Sequence, residues 1–177
     1  GRLWPVLIMP LFYKIDRLED PTLMDRFGEL CEGTGLSIEG VYRMELSAET
    51  VKANAMLAGF GKTKRVILGD TLLDKFTPDE IAVVFAHEVG HHVHRHIRKL
   101  ILIGATTSIV AFLVCHWMIA AWDGHSEWYN RFPVYALPMF MLIITLLSLF
   151  SEPLQNGISR FFERQSDRYA LRATGMR

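Results

Sequence analysis

Apolar positions along this chain change their period several times, and each change predicts an element. Leu18, Leu23, Phe27 and Leu30 recur at roughly helical spacing, which predicts an amphipathic helix over 16–35 closed by Gly33 and Gly35. The stretch LSIEGVYRMEL (36–46) alternates over short runs with β-branched and aromatic residues, as a strand or a hairpin around Gly40 would. NAMLAGFG (54–61) and KRVILGD (64–70) read as two strands joined by a tight turn at Gly61–Lys62–Thr63. Together these segments predict a small antiparallel sheet.

The next element starts with a clear signal. Thr77 can cap a helix, Pro78 suits its first position, and Glu80 stands three residues after Thr77 to complete a capping box. From there to Arg98 only Gly90 disfavours a helix. LILIGATTSIVAFLVCHWMIAAW (100–122) then runs without a formal charge. At 1.5 Å per residue it makes roughly 34 Å of helix, enough to cross about 30 Å of hydrocarbon. VYALPMFMLIITLLSLF (134–150) makes about 25 Å, and Phe132 and Pro133 can extend it. The polar link DGHSEWYNRFP carries Trp128 and Tyr129, aromatic residues of the kind that favour a membrane interface. The two apolar runs therefore predict a transmembrane helical hairpin.

Composition adds three constraints. Nineteen basic and nineteen acidic residues balance, which argues against a nucleic-acid partner. Half of the residues are hydrophobic, concentrated between Leu100 and Phe150. Cys31 and Cys115 have no metal-ligand spacing and read as free thiols, in keeping with a reducing compartment. Charge is also distributed unevenly. Arg95, Arg98 and Lys99 precede the first span and Arg160, Arg164 and Arg168 follow the second, while the link has only Arg131. The positive-inside rule then puts the flanking segments on the cytoplasmic side. The chain opens at Gly1 within an apolar stretch, LWPVLIMPLF, which is expected to be the end of a longer segment.

Five of the seven histidines fall in FAHEVGHHVHRH (85–96). Within it, His87-Glu88-Val89-Gly90-His91 matches H-E-x-x-H. Spacing of four sets both imidazoles on one helical face, where two nitrogens can grip one Zn²⁺. Glu88 is then placed to act as general base on an attacking water and to return the proton to the leaving amine. A catalytic zinc site needs a third ligand and an open position. Beyond the hairpin, SRFFERQSDRYALRATG (159–175) carries Glu163 and Asp167, again four apart on a predicted helix. Glu163 can supply the third ligand, and Asp167 can accept a hydrogen bond from a ligand histidine and fix its tautomer. Two antiparallel spans return the chain to the side it left, which lets these distant residues meet. His92, His94 and His96 are expected to be polar surface, and His116 an intramembrane candidate for a hydrogen bond or a function.

On these residues the chain resembles the membrane-embedded zinc metallopeptidases that include the CaaX prenyl protease type 1 enzymes and the HtpX-like proteases. The blocks that carry the resemblance are PLFYKIDRL, NAMLAGFGKTKRVILGDTLLDKFTPDEIAVVFAHEVGHHVHRH and SRFFERQSDRYA, which span most of the chain. The resemblance implies His87, His91 and Glu163 as ligands of one zinc per chain and Glu88 as the base. It implies that Asn54 and Ala55 sit on an edge strand that pairs with an extended peptide substrate. It also implies an α+β, mainly α fold: a zincin-like catalytic domain with a small antiparallel sheet and the helical hairpin. Such enzymes have more than two transmembrane helices, where this chain shows two spans and the stub of a third, and they carry a downstream His and Arg that stabilise the oxyanion, for which no equivalent is found before Arg177.

The expected layout is therefore one catalytic domain in four parts. Residues 1–12 end an upstream apolar segment, and 13–99 form the soluble catalytic part. Residues 100–150 form the hairpin, and 151–177 bring the third ligand. The expected function is a membrane-integral zinc metalloendopeptidase with its site at the cytoplasmic face. Its partners are membrane lipid and an extended peptide, drawn from membrane-protein segments in quality control or, alternatively, from prenylated CaaX-type C-terminal peptides. Two rivals differ in class: a catalytically silent zinc-binding scaffold, and a metal sensor or transporter that loads several ions on His92, His94 and His96.

Overall fold

A computed structural model describes residues 14–45, 54–59, 63–124, 134 and 136–175. The apolar opening 1–12, the turn residues Gly61 and Lys62, and the link residues 125–133 with His125, Trp128, Tyr129 and Arg131 lie outside the described residues. In chain order the elements are β1 (Ile15–Leu18), α1 (Pro21–Cys31), β2 (Ser37–Met44), β3 (Ala55–Ala58), β4 (Thr63–Gly69), α2 (Asp70–Lys75), α3 (Pro78–Val93), α4 (His96–Asp123) and α5 (Ala136–Thr174). They form two compact units. One contains the chain up to His94 together with the residues from Glu163 onward, and the other is Arg95–Phe162.

The first unit is a four-stranded sheet carrying helices. Strand order is β1-β2-β4-β3. β1 is antiparallel to β2 and β3 antiparallel to β4, but β2 and β4 run parallel, so the sheet is mixed and not purely antiparallel as expected. Burial explains the order. β4 contributes Val66 and Leu68, both fully buried, with Ile67 buried on the other face. A strand apolar on both faces belongs in the interior of a sheet. The chain leaving β2 therefore goes first to the outer edge as β3 and comes back as β4 in the direction of β2. β2 is one strand with an irregular register between Ile38 and Gly40, where a strand or a hairpin was expected.

One sheet face joins the main core. Val41, Ala55, Val66 and Leu68 pack with Leu23 and Phe27 of α1 and with Ile81, Phe85 and Val89 of α3. Phe27 stacks on Phe85 with ring centroids 4.1 Å apart. Helix α1 begins later than its apolar period suggests. Leu18 belongs to β1, Asp20 caps the helix through its Oδ1, which accepts from the Leu23 N–H at 3.2 Å, and Pro21 takes the first turn. Gly33 and Gly35 follow with φ of 72° and 74°, conformations that glycine adopts without a Cβ penalty.

The second unit contains α4 and the first part of α5, two helices long and apolar enough to cross a membrane. They pack through Cys115 and Ile119 of α4 against Ile143 of α5, with Phe112 stacked on Phe140. Most of their other large apolar side chains are exposed, Trp117 and Phe150 among them. Two boundaries differ from expectation. The helix predicted to reach Arg98 ends at Val93, and Arg95 takes a left-handed conformation (φ 55°) before α4 starts. The second apolar run and the helix carrying Glu163 are one continuous α5, which passes through Pro153.

Candidate metal centre

Helix α3 is fixed at its start and along one face. The Thr77 N–H donates to Glu80 Oε2 at 2.8 Å, and the Glu80 N–H donates to Thr77 Oγ1 at 3.4 Å. This reciprocal box satisfies backbone donors that the first turn would leave open. The backbone and side-chain hydrogen bonds from Thr77 hold the Glu80 carboxyl below its ordinary range. Ile81, Ala82, Phe85, Ala86 and Val89 are buried, so the helix cannot rotate without exposing them. His87 and His91 stand beside that buried stripe and are themselves partly open to solvent.

Helix α5 brings Glu163 and Asp167 to them. His87 Nε2 and His91 Nε2 are 3.0 Å apart. Glu163 Oε2 is 3.2 Å from the first and 3.6 Å from the second. Three ligand atoms of types that bind zinc thus converge on one point. Tetrahedral ligands roughly 2.0–2.1 Å from one zinc ion stand about 3.3 Å apart along each edge. The three observed separations straddle that value, so the residues fit such an ion. Asp167 Oδ1 accepts from His87 Nδ1 at 2.9 Å. With the proton held on Nδ1, the His87 Nε2 lone pair faces the other two ligand atoms.

Glu88 is half-buried next to His87. Burial pushes its carboxyl above the ordinary range; the neighbouring His87 opposes the shift and Glu163 adds to it. A carboxylate raised in this way is a better proton acceptor than a solvated one.

Asn54 and Ala55 lie where β3 begins. The Asn54 carbonyl accepts from the Gly69 N–H at 2.8 Å, and β3 pairs only with β4 among the described residues. β3 is therefore an edge strand, and α3 is its neighbour on the sheet face. Among the described residues nothing pairs with its outer side, and an edge strand of this kind can accept an added strand.

The remaining histidines divide. His92 is exposed, as expected. His94 is half-buried and its Nδ1 is 3.2 Å from Gln165 Nε2. His96 is not polar surface: it is fully buried and stacks on Phe162 with centroids 4.3 Å apart. His96 is the first residue of α4, after the left-handed Arg95, and its ring packs inside the second unit. Sequence reasoning also missed Gly90, which lies close against α5; the only sequence signal was a glycine inside an otherwise good helix.

The model of peptidase family M48 matches residues 17–177. An uncharacterized metalloprotease of Bacillus subtilis, YhfN, is 30% identical over 176 residues, which cover 96% of this chain and 41% of that protein. CAAX prenyl protease 1 of Saccharomyces cerevisiae is 30% identical over 188 residues, covering 94% of this chain and 41% of the relative. The crystal structure of S. mikatae Ste24p superposes with a TM-score of 0.77 at 28% identity, covering 97% of this chain and 44% of that one. The chain thus spans about two fifths of the length of the relatives it matches. With its H-E-x-x-H helix and a match that runs from Arg17 to Arg177, the chain belongs to peptidase family M48.

Proposed function

We propose that this chain forms the catalytic core of a membrane-integral zinc metalloendopeptidase, with one zinc ion held by His87, His91 and Glu163. Membership of the family implies a metal. The observation that carries the reading is the convergence of three ligand atoms at 3.0–3.6 Å from two separate helices. His87, His91 and Glu163 would hold the ion, and the chemistry it would supply there is Lewis acidity toward a water and a carbonyl. Glu88 takes the proton of the attacking water and gives it to the leaving amine. Asp167 holds the His87 proton on Nδ1 and so keeps Nε2 as the ligand atom. The outer side of β3, with Asn54 and Ala55 at its start, binds the substrate backbone in extended form.

Helices α4 and α5 anchor the chain in the membrane. The cationic residues that flank them support a cytoplasmic site. Substrates are extended peptides. The likeness to proteins named CAAX prenyl protease 1 favours a second, narrower reading, in which the substrate is a prenylated CaaX-type C-terminal peptide instead of a membrane-protein segment. Cleavage of matched peptides with and without the prenyl group separates the two.

Glu88→Gln tests the mechanism. The variant keeps its zinc and its fold but loses peptide cleavage. Cleavage at the wild-type rate would refute Glu88 as the base. Absence of cleavage in both forms at full zinc occupancy would favour a structural scaffold.

A further inference from the structure

Helix α3 and its C-cap residue present His87, Gly90, His91 and His94 at spacings of three, one and three, and α5 presents Glu163, Ser166, Asp167 and Ala170 at the same spacings. Each set lines one face of its helix. The two sets meet, and the smallest residue of the first lies against the second. A Cβ built on Gly90 would stand 3.1 Å from Ser166 Cα, 3.3 Å from the Ser166 carbonyl oxygen and 3.3 Å from Tyr169 Cβ. All three are closer than ordinary van der Waals contact, and two of them are backbone atoms that cannot swing aside.

Gly90 has no positive φ and gains nothing from its conformational freedom; inside a helix it costs stability relative to alanine. Its value here lies in the missing Cβ. Ser166 is fully buried, and among the described residues its Oγ has no hydrogen-bond partner. The atoms it sets against Gly90 are its backbone Cα and carbonyl oxygen. The Gln165 bond to His94 and the edge-on approach of the Tyr169 ring to the His94 ring flank the same crossing.

We propose that the Gly90–Ser166 contact sets the distance between the two ligand-bearing helices and so tunes the metal site, making Gly90 a positioning residue. This rests on the zinc reading above. Ligand distances at a zinc site are expected within about 0.2 Å of their usual values. A methyl group at position 90 forces the helices to give by a few tenths of an ångström. That displacement moves Glu163 and Asp167 together, relative to both histidines.

The test is a set of zinc dissociation constants, measured by chelator competition on the detergent-solubilised chain, with cobalt(II) absorption spectra of the same samples. Gly90→Ala raises the zinc dissociation constant at least tenfold and alters the cobalt d–d bands. Ser166→Ala, which adds no bulk, leaves the constant within threefold of wild type. Ser166→Thr adds a methyl group at the fully buried partner position and weakens zinc in the same direction, which keeps the idea testable if Gly90→Ala fails to fold. Ile67→Ala, a core truncation on the sheet face turned away from α3, controls for general destabilisation and stays within threefold. Wild-type affinity in Gly90→Ala, or a loss no larger than that of Ile67→Ala, overturns the proposal. Absence of zinc from the wild-type chain would instead sink the reading on which it rests.

Discussion

Truncating Asp167 to alanine should weaken zinc binding through His87, with no ligand removed. The carboxylate accepts from His87 Nδ1 at 2.9 Å, and without it the ring is free to rotate and to exchange tautomers. Loss of a partner of this kind costs roughly 10–100-fold in metal affinity, about 1.4–2.8 kcal/mol. The Asp167 side chain is 62% exposed, so water competes for the same hydrogen bond and can partly replace it. That places the expected loss at the lower end, about tenfold. Asp167→Asn keeps an oxygen acceptor and should lose only about threefold, because orientation survives and charge does not. Chelator competition in detergent reads both constants, and thermal unfolding of the zinc-free forms checks that the fold is unchanged. Wild-type affinity in Asp167→Ala would refute the reasoning. Equal losses in the alanine and asparagine variants would show that charge, not orientation, is what His87 draws from Asp167.

Further outcomes follow from the structure. Thr77→Ala removes the capping box of the helix carrying both histidines and should cost about 1 kcal/mol, seen as a lower unfolding temperature; an unchanged temperature would mean that packing alone fixes this helix start. Cys31 is buried and burial pushes its thiol up to about 11. Iodoacetamide should therefore leave it unmodified in the folded chain at neutral pH and label it rapidly in denaturant; fast labelling of the folded chain would contradict the packing of α1. In an Asp25→Cys variant, a membrane-impermeant maleimide should reach the exposed new thiol only from the cytoplasmic side. Labelling from the opposite side alone would reverse the proposed topology.

Much of the site was legible because its chemistry is local. Thr77, Pro78 and Glu80 announce the start of α3, and the spacing of His87 and His91 sets both on one face. Glu163 and Asp167 share the same spacing beyond the apolar runs, and the Glu163 carboxylate lies close to both histidines. What sequence did not show depends on neighbours. Gly90 looked like a weak point of a helix, because a close approach between backbones leaves no mark on periodicity. The break at Arg95 has no proline or glycine to signal it, and the burial of His96 against Phe162 leaves no mark on a histidine-rich run. The parallel pairing of β2 with β4 is set by which strand is buried on both faces, and short apolar runs look alike whichever way they pair. Pro153 removes one backbone donor, but α5 continues through it, so two expected elements are one.

The central claim is that helices α3 and α5 build a single zinc site. Zinc content per purified chain, measured in detergent for wild type and for Glu163→Ala, tests it most directly. The account predicts one zinc per chain in the wild type and loss or sharp weakening in the variant, although Glu163 is distant in sequence from both histidines. One zinc held equally well without Glu163, or none in the wild type, would contradict it.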